Sequence, residues 1–234
     1  MDKQQTRERV WAALDESGEA RFPFPPRGRI PNFAGAREAA DRLAGADEWA
    51  DAATVKANPD APQRPVRRRA LDAGKTVYVA VPRLQDERCF LRLDPDELDD
   101  VDYATTIAGA SDLGVQVGPD EMPPVDLIVS GSVAVSGDGA RVGKGEGYSD
   151  LEFAVLREAG LVDDDTPTAT TVHPLQVVDE AIETAPHDVP MDLVVTPEQM
   201  IRTGPSEKPK GIAWGDLGDD RIEEIPVLQR LRRW

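Results

Sequence analysis

The chain has 234 residues, of which 44 are acidic and 27 are basic, so its formal net charge is −17. This length suffices for one large α/β domain or two small ones with a substantial core. A field of this sign repels nucleic acid and anionic membranes, so we expect neither as a partner. No apolar run is long enough to span a membrane, no hydrophobic signal segment opens the chain, and Cys89 is the only cysteine. We therefore expect a cytoplasmic protein without an internal disulfide.

The basic side chains include only six lysines. An acid-rich, lysine-poor surface repels itself in dilute buffer, and concentrated salt screens that repulsion. The composition therefore predicts a halophilic source. Because the overall field is negative, a phosphate-binding site in this chain must supply its positive charge locally.

The first half of the chain alternates helical and extended patterns. The spacing of apolar and turn residues predicts a helix over 3–14 with Val10, Trp11 and Leu14 toward the core, a proline-rich connector over 21–26, a helix over 36–43 continued by an alanine-rich stretch, a strand near 54–56, a helix over 65–73 that ends at Gly74, and a strand over 75–81. The helix over 65–73 carries Arg67, Arg68 and Arg69. Since no aromatic residues are interleaved with them, we interpret this basic face as solvated rather than as a nucleic-acid site.

The second half contains further strand and helix patterns. They predict a strand over 89–93, an acidic loop or helical turn over 94–102, an irregular segment over 107–118, a long central strand over 125–135, a helix over 151–160, strands over 167–172 and 193–196, a strand at 211–214 and a closing helix over 225–234. Strands near 55, 77, 127, 170 and 194 thus alternate with helices. This order predicts a single α/β domain over 1–234, with a mostly parallel sheet flanked by helices on both faces in a Rossmann-like three-layer architecture.

A glycine-spaced loop follows the predicted central strand. Gly143, Gly145 and Gly147 leave backbone N–H groups uncovered just before a helix, whose positive end points the same way. Arg141 and Lys144 add cationic charge to the loop. The pattern therefore predicts an anion site, most typically for phosphate. A dinucleotide-binding loop is expected earlier in a chain and without these charges, so we do not favour that alternative.

Two further residues lie at the start of the following helix. Asp150 falls in the first helical turn, where a carboxylate can hold a magnesium ion that bound phosphates share. Ser149 and Glu152 have the Ser-x-x-Glu spacing of a capping box. We therefore interpret Ser149 as the helix cap.

The sequence over 141–150, Arg-Val-Gly-Lys-Gly-Glu-Gly-Tyr-Ser-Asp, resembles the glycine-rich signature of 5-formyltetrahydrofolate cyclo-ligases, also called methenyltetrahydrofolate synthetases. Gly-Ser-Val-Ala-Val over 131–135 and Arg-Ile-Pro-Asn-Phe over 29–33 resemble the branch called methenyltetrahydrofolate synthase domain-containing proteins. The resemblance covers nearly the whole chain. One difference lies inside the signature, where Ser149 replaces the second tyrosine that is usual in the enzymes.

This resemblance implies an ATP- and Mg²⁺-dependent ligase that cyclises 5-formyltetrahydrofolate to 5,10-methenyltetrahydrofolate and releases ADP and phosphate. The implied partners are a small-molecule folate and ATP, and we expect a monomer or a weak dimer. The resemblance also implies that Arg141 and Lys144 are catalytic. The residues that it assigns to ATP are Lys3, Arg7, Arg141, Gly143, Lys144, Gly145, Glu146, Gly147 and Tyr148.

The resemblance assigns a second group of residues to folate and metal. A glutamate of the cyclo-ligases contacts folate, and counting back from the Gly-Lys at 74–75 maps that position to Asp60. We assign Tyr148 to substrate packing, a position equally suited to filling the core. The metal ligands implied are Asp150 and, in the His-Asp pair at 187–188, Asp188. We interpret Asp192, a little further on, as structural.

Several of these assignments have a simpler alternative. The spacing of Lys3 and Arg7 is equally typical of a solvated helix face, and a His-Asp pair more often caps a turn than binds a metal. Ser149, together with Asp60 in place of glutamate, also fits a non-catalytic nucleotide- or folate-binding regulatory homologue. A kinase or ligase acting on another small acid fits the same loop.

Overall fold

The computed structural model describes residues 2–204 and 206–232, and within them the strands form three sheets. The strands are β1 (Ala20–Arg21), β2 (Asn32–Phe33), β3 (Thr54–Ala57), β4 (Thr76–Ala80), β5 (Phe90–Leu93), β6 (Val115–Val117), β7 (Leu127–Val129), β8 (Ala134–Ser136), β9 (Arg141–Val142), β10 (Thr168–Thr171), β11 (Val177–Val178), β12 (Leu193–Val195) and β13 (Met200–Arg202). The α-helices are α1 (Lys3–Glu16), α2 (Ala36–Leu43), α3 (Asp47–Asp51), α4 (Arg64–Asp72), α5 (Val101–Ala104), α6 (Ile107–Leu113), α7 (Tyr148–Glu158), α8 (Asp219–Glu224) and α9 (Pro226–Leu231). Short 3₁₀ turns occur at Ala61–Gln63, Pro82–Leu84, Pro119–Glu121 and Pro174–Gln176.

The largest sheet has eight strands in the order β13-β12-β10-β7-β3-β4-β5-β6. The five strands from β12 to β4 pair in parallel, and the three outer strands add antiparallel pairs. The central strand β7 is buried along its whole length, as expected for a sheet covered on both faces. The predicted mostly parallel, helix-flanked α/β fold is confirmed.

A smaller sheet, β11-β8-β9, carries the N-terminal helix. Val10, Trp11 and Leu14 on α1 are buried in a cluster that includes Phe33 and Val142, as the helical spacing predicts. Because Val142 belongs to β9, this packing sets α1 beside the start of the glycine-spaced loop. Apolar contacts therefore hold the loop and α1 next to each other. Burial of each large apolar side chain contributes roughly 1.5–3 kcal/mol to the stability of this packing.

Two predicted elements differ from the structure. The long strand over 125–135 is divided into β7 and β8, which belong to different sheets, because the chain leaves the large sheet after Val129. The segment over 107–118 is not irregular, since it forms α6 and β6. Gly109 misled the prediction: a Cβ there would lie 1.9 Å from the carbonyl oxygen of Tyr103, so glycine serves close packing of α5 on α6.

Two further predictions about charge and the chain's end are wrong. Arg67 on α4 is 2% exposed and is therefore not part of a solvated face, whereas Arg68 and Arg69 are exposed and form ion pairs with Asp72 and Asp41. Residues 211–214 form no strand, so that prediction is wrong, whereas the predicted closing helix is present as α9, with α8 before it. The predicted helical residues 233–234 lie outside the described residues. Of the helices in residues 2–204 and 206–232, none combines the length and apolar character that crossing a membrane requires.

Candidate functional site

The candidate site is a cavity of about 320 Å³ at the carboxyl ends of β3, β4 and β7. Ligands of open parallel α/β sheets bind at this edge, where the chain leaves successive strands in different directions. The segments after these strands supply lining residues, namely Asn58, Pro59 and Asp60 after β3, Val81, Pro82 and Arg83 after β4, and Gly131 after β7. The glycine-spaced loop completes the wall.

The glycine-spaced loop precedes α7, as predicted, but the strand before it is β9 rather than the predicted central strand. Gly145 and Gly147 have φ of 108° and 70°, in the left-handed region that glycine adopts without steric cost. Gly147 is also the N-cap of α7, which begins at Tyr148. The loop therefore delivers the unpaired N–H groups of the first helical turn, and the positive end of the helix dipole, to the rim of the cavity.

The interpretation of Ser149 as a helix cap is wrong, because Gly147 precedes the helix and Ser149 is already inside it. The hydroxyl of Ser149 donates to Asn58 Oδ1 at 3.1 Å and lies 3.2 Å from Ser130 Oγ. Glu152 does not return to the helix start either. The serine therefore ties α7 to the segments that follow β3 and β7.

Glu152 belongs to a buried polar network beneath the cavity. Its Oε2 pairs with Lys56 Nζ and accepts a hydrogen bond of 2.9 Å from Asn58 Nδ2. Asn58 Oδ1 in turn accepts the backbone N–H of Gly131 at 2.8 Å. Since Lys56 and Glu152 are both nearly inaccessible to solvent, each charge depends on the other, and the network fixes the mutual position of β3, β7 and α7.

Arg141 and Asp150 form the ion pair at the base of the loop. Arg141 Nη2 donates to both carboxylate oxygens of Asp150 at 2.7 Å, and Nη1 donates to the Gly131 carbonyl at 2.9 Å. Arg141 Nε is buried and has no hydrogen-bond partner among the residues that the structure describes. The predicted phosphate-loop arginine and the predicted metal-side carboxylate are therefore brought together, and part of the arginine's donor capacity is unused.

Helix α1 and the segment before β12 reach the same loop. Arg7 Nε donates to the Gly143 carbonyl at 2.7 Å, and Lys3 Nζ lies 2.5 Å from Asp188 Oδ2. Asp188 also accepts the backbone N–H of Ala185 at 2.6 Å, so it is both ion-paired and part of a turn. The alternative of a purely solvated face for Lys3 and Arg7 is therefore excluded.

Asp188 lies close to Asp150 through the next residue in the chain. The backbone N–H of Val189 donates to Asp150 Oδ1 at 3.1 Å. The structure therefore joins both predicted metal-side carboxylates, Lys3 and Arg141 in one cluster at the loop.

The tip of the loop carries exposed charge. Lys144 Nζ lies 2.8 Å from Glu146 Oε2, in a pair that is well exposed on both sides. Arg221 on α8 donates to the Glu146 carbonyl at 2.8 Å, and its guanidinium carbon lies 4.5 Å from the ring centre of Tyr148. Tyr148 is half-buried and lines the cavity, so it serves both packing and the cavity wall.

Asp60 lies across the cavity from the loop residues that carry positive charge. Loss of hydration raises the pKa of Asp60 above its usual range, and the field of Lys144 opposes that shift in part. Behind it, Arg67 donates to the carbonyls of Pro59 at 3.1 Å and Thr105 at 2.8 Å, and burial lowers the pKa of Arg67 to about 10. Arg67 thereby holds the turn that presents Asp60.

The residues at the loop suit a phosphate-bearing ligand together with a divalent ion. The anion donors are the glycine-loop N–H groups, Lys144 and the unused Nε of Arg141. Within residues 2–204 and 206–232, no group of three or more histidine, cysteine or acidic side chains is arranged to hold a metal alone. Mg²⁺ typically uses one or two carboxylates and completes its shell with phosphate oxygens and water, and Asp150 with Asp188 fits that pattern.

Sequence analysis missed four residues of the site. Lys56 lies inside the predicted strand near 54–56, and a lysine in a buried strand was the available signal, whereas Asn58 follows that strand. Arg83 follows the predicted strand over 75–81, and Arg221 comes from a distant helix. Their roles depend on which segments the fold brings together, which no local pattern specifies.

Comparison with known proteins identifies the family that the sequence resembles. A model of the 5-formyltetrahydrofolate cyclo-ligase family matches residues 1–197. The methenyltetrahydrofolate synthase domain-containing protein of Mus musculus is 42% identical over 238 residues, which cover 99% of this chain and 63% of the mouse protein. The Homo sapiens protein of the same name is 39% identical over 239 residues, which cover 99% of this chain and 62% of the human protein. The chain therefore spans less than two thirds of the length of these relatives.

A solved structure has the same fold. The NMR structure of Aquifex aeolicus 5,10-methenyltetrahydrofolate synthetase aligns with a TM-score of 0.56 at 19% sequence identity, covering 89% of this chain and 97% of that protein.

Proposed function

This chain belongs to the 5-formyltetrahydrofolate cyclo-ligase family, and we propose that it uses ATP to close 5-formyltetrahydrofolate to 5,10-methenyltetrahydrofolate, with release of ADP and phosphate. One observation carries the proposal. The glycine-spaced loop, with Arg141 and Lys144, lines the same cavity as Asp60 and Tyr148, so a phosphate donor and an organic substrate have adjoining walls.

The chemistry requires activation of a poor leaving group. The formyl oxygen attacks the terminal phosphorus of ATP, and ADP leaves with the electrons of the broken P–O bond. The second folate nitrogen then attacks the formyl carbon and gives up its proton to solvent or to the departing phosphate, which leaves with the former formyl oxygen and the electrons of the broken C–O bond. No side chain has to form a covalent bond, so positioning and charge neutralisation supply the catalysis.

Arg141 and Lys144 supply positive charge where the transferred phosphoryl group would lie. Arg141 is nearly buried and oriented by Gly131 and Asp150, so little reorganisation is needed when charge develops. Lys144 is exposed at the loop tip and acts as a mobile point charge. Lys3 and Arg7 add to the same field from α1.

We assign Asp150 and Asp188 as the carboxylates that hold Mg²⁺ together with the phosphates. The ion neutralises phosphate charge when it is bound. Both carboxylates are paired with a cation, Asp150 with Arg141 and Asp188 with Lys3. Because these cations already offset the carboxylate charge, the site attracts free Mg²⁺ weakly and favours the metal–nucleotide complex, in which phosphate oxygens complete the shell of the ion.

Asp60 and Tyr148 form the folate side of the proposed site. The raised pKa of Asp60 lets this carboxyl retain a proton at a higher pH than usual, which suits a group that contacts the ring nitrogens of the substrate. The half-buried ring of Tyr148 offers an aromatic face to a pterin.

We further propose that the whole chain acts as one cytoplasmic domain that is adapted to high salt. Thermal melts in low and in multimolar KCl test the adaptation, and equal melting temperatures in both would contradict it.

The test of the activity is direct. The protein in multimolar KCl is mixed with 5-formyltetrahydrofolate and Mg-ATP, and the methenyl absorbance is followed together with ADP release. Equal rates of the two products support the proposal. An inactive Asp150→Asn variant serves as the matched control for contaminating activity.

A second function has its own supporting observation. The hydroxyl at Ser149, where cyclo-ligases usually have a tyrosine, is committed to hydrogen bonds with Asn58 and Ser130, so this position offers the cavity no aromatic ring. A nucleotide- or folate-binding regulator therefore remains the alternative proposal. Tight binding of both ligands without methenyl formation favours it.

A further inference from the structure

A strained turn presents Arg83 to the cavity. The turn Pro82–Leu84 follows β4, and Arg83 and Leu84 have φ of 57° and 52°. Side chains other than glycine rarely adopt this left-handed region, and consecutive examples persist only where the surroundings hold them. Leu84 is fully buried and anchors the turn, whereas Arg83 is exposed and lines the cavity.

Arg83 differs from the other cations of the cavity. Arg141 pairs with Asp150, Lys144 pairs with Glu146, and Arg67 is bonded to backbone carbonyls. Within residues 2–204 and 206–232, the structure gives Arg83 no hydrogen bond or ion pair. In a chain of net charge −17, an exposed arginine at the cavity lining that forms no ion pair with the described residues is available for an anionic ligand.

The wall beside Arg83 is apolar. Val79 and Val81 come from β4 and its end, Leu91 from β5, and Ile107 and Ala110 from α6. These strands lie on the β4–β5 side of the sheet, whereas Asp188 precedes β12 on the other side. An apolar wall that ends in one guanidinium suits an aromatic group bearing a carboxylate, and phosphates already have the glycine loop with its own cations.

We propose that Arg83 binds a carboxylate of the glutamate tail of the folate and thereby selects substrates that carry this tail. This inference rests on the proposed function, because it assumes a folate in the cavity. It assigns Arg83 to substrate binding rather than to chemistry. Removal of the Arg83 side chain is therefore expected to raise KM for the folate and to leave kcat unchanged.

The test compares two ligands that differ only in tail charge. One is 5-formyltetrahydrofolate and the other is its dimethyl ester, in which both tail carboxylates are neutral. Dissociation constants without ATP and KM with Mg-ATP are measured for wild type, Arg83→Gln and Arg83→Gly. Arg37→Gln, an exposed arginine on α2 away from the cavity, is the control for net charge.

We expect both Arg83 variants to bind the acid about ten-fold or more weakly and the ester unchanged, as loss of a charge-assisted bond predicts. Arg83→Gly is expected to melt at or above the wild-type temperature, since glycine adopts φ of 57° freely. This result separates lost binding from lost folding. Arg37→Gln is expected to behave as wild type.

Other results overturn the inference. They are an equal loss of affinity for the acid and the ester in the Arg83 variants, an unchanged affinity for the acid, or a fall in ATP affinity instead.

If wild type prefers the acid and Arg83→Gln loses that preference, yet no methenyl product forms, the inference stands and the proposed activity fails. If wild type turns over both ligands and the variants match it, the activity stands and the inference fails. If wild type binds neither ligand, both are overturned.

Discussion

Helix α7 carries two ion pairs, only two residues apart, that differ in surroundings. Asp150 is 14% exposed in its side chain and pairs with Arg141 at the glycine loop. Glu152 is 7% exposed and pairs with Lys56, whose side chain is 1% exposed, beneath the cavity. The first pair lies at the loop where we propose that phosphates bind, whereas the second is buried more deeply and joins α7 to β3. The comparison teaches that one helix can carry one carboxylate that fixes the scaffold and another that stands at the proposed ligand site.

The largest expected effect comes from breaking the enclosed pair. Lys56→Met leaves Glu152 as an unpaired buried carboxylate, so the free energy of unfolding should fall by about 3–5 kcal/mol. Denaturant titration at fixed salt measures the loss. The double variant Lys56→Met/Glu152→Leu removes both charges and should recover most of it. A loss below about 1 kcal/mol in the single variant would show that the pair is not the scaffold element described here.

The second effect concerns the pair at the loop. Asp150→Asn keeps the shape of the side chain but removes the charge opposite Arg141, so turnover should fall at least about 100-fold as electrostatic positioning is lost. Because this pair is less enclosed, the free energy of unfolding should fall by only about 1–3 kcal/mol. Initial rates and denaturant titration on the same preparation check both numbers. A variant that unfolds as easily as Lys56→Met would erase the contrast between the two pairs.

A smaller effect is expected at the exposed tip of the loop. Lys144→Ala should weaken ATP binding about ten-fold or more, since a charge-assisted contact to phosphate is lost. The melting temperature should barely change, because the exposed Lys144–Glu146 pair contributes about 0–1 kcal/mol. Calorimetric titration with ATP provides the dissociation constant. Unchanged ATP affinity would place the phosphates elsewhere.

The smallest effect sharpens the comparison with Asp60, whose carboxylate forms no ion pair with any residue that the structure describes. Burial raises the pKa of Asp60, so the folded state binds its proton more tightly than the unfolded state does. Its contribution to stability is therefore present at acidic pH and is lost as the pH rises through that raised pKa. Asp60→Asn should consequently stabilise the protein at pH 7 to 8, with the gain vanishing in acid.

Asp138 provides the control of opposite sign. A hydrogen bond from the Ser136 hydroxyl lowers the pKa of Asp138, so its contribution is present at neutral pH and disappears as the pH falls through the lowered pKa. Asp138→Asn should therefore destabilise the protein at pH 7. Melting temperatures of Asp60→Asn and Asp138→Asn, measured between pH 4 and pH 8, test both predictions. Stability changes of the same sign at pH 7 would contradict the opposite pKa shifts.

The contrast between the two ion pairs also marks the limit of prediction from sequence. The bounds of α2, the positions of β3, β4, β10 and β12 and the glycine loop follow from local spacing, and the structure confirms them, whereas the predicted central strand is two strands. The partners of Ser149 and Glu152 do not, because a Ser-x-x-Glu spacing suits a cap as well as it suits contacts to segments about 90 residues earlier in the chain. Asp150 could be predicted as a site residue because it ends the glycine-rich signature over 141–150.

Arg67 and Gly109 show the same limit in the fold. A triplet of arginines gives no sign that one member turns inward to backbone carbonyls, since that depends on the turn after β3. A glycine in a short helix indicates a break unless the neighbouring helix is known to lie against it. Burial and close approach are properties of the assembled fold, so these errors concentrate where distant segments meet.

The central claim is that the formyl oxygen is phosphorylated before the ring closes. We propose to label that oxygen of 5-formyltetrahydrofolate with ¹⁸O and to analyse the released phosphate by mass spectrometry in a single-turnover reaction with Mg-ATP. The account predicts one ¹⁸O atom in each phosphate released per methenyl product formed. Methenyl product accompanied by unlabelled phosphate, or phosphate released without ring closure, would contradict it.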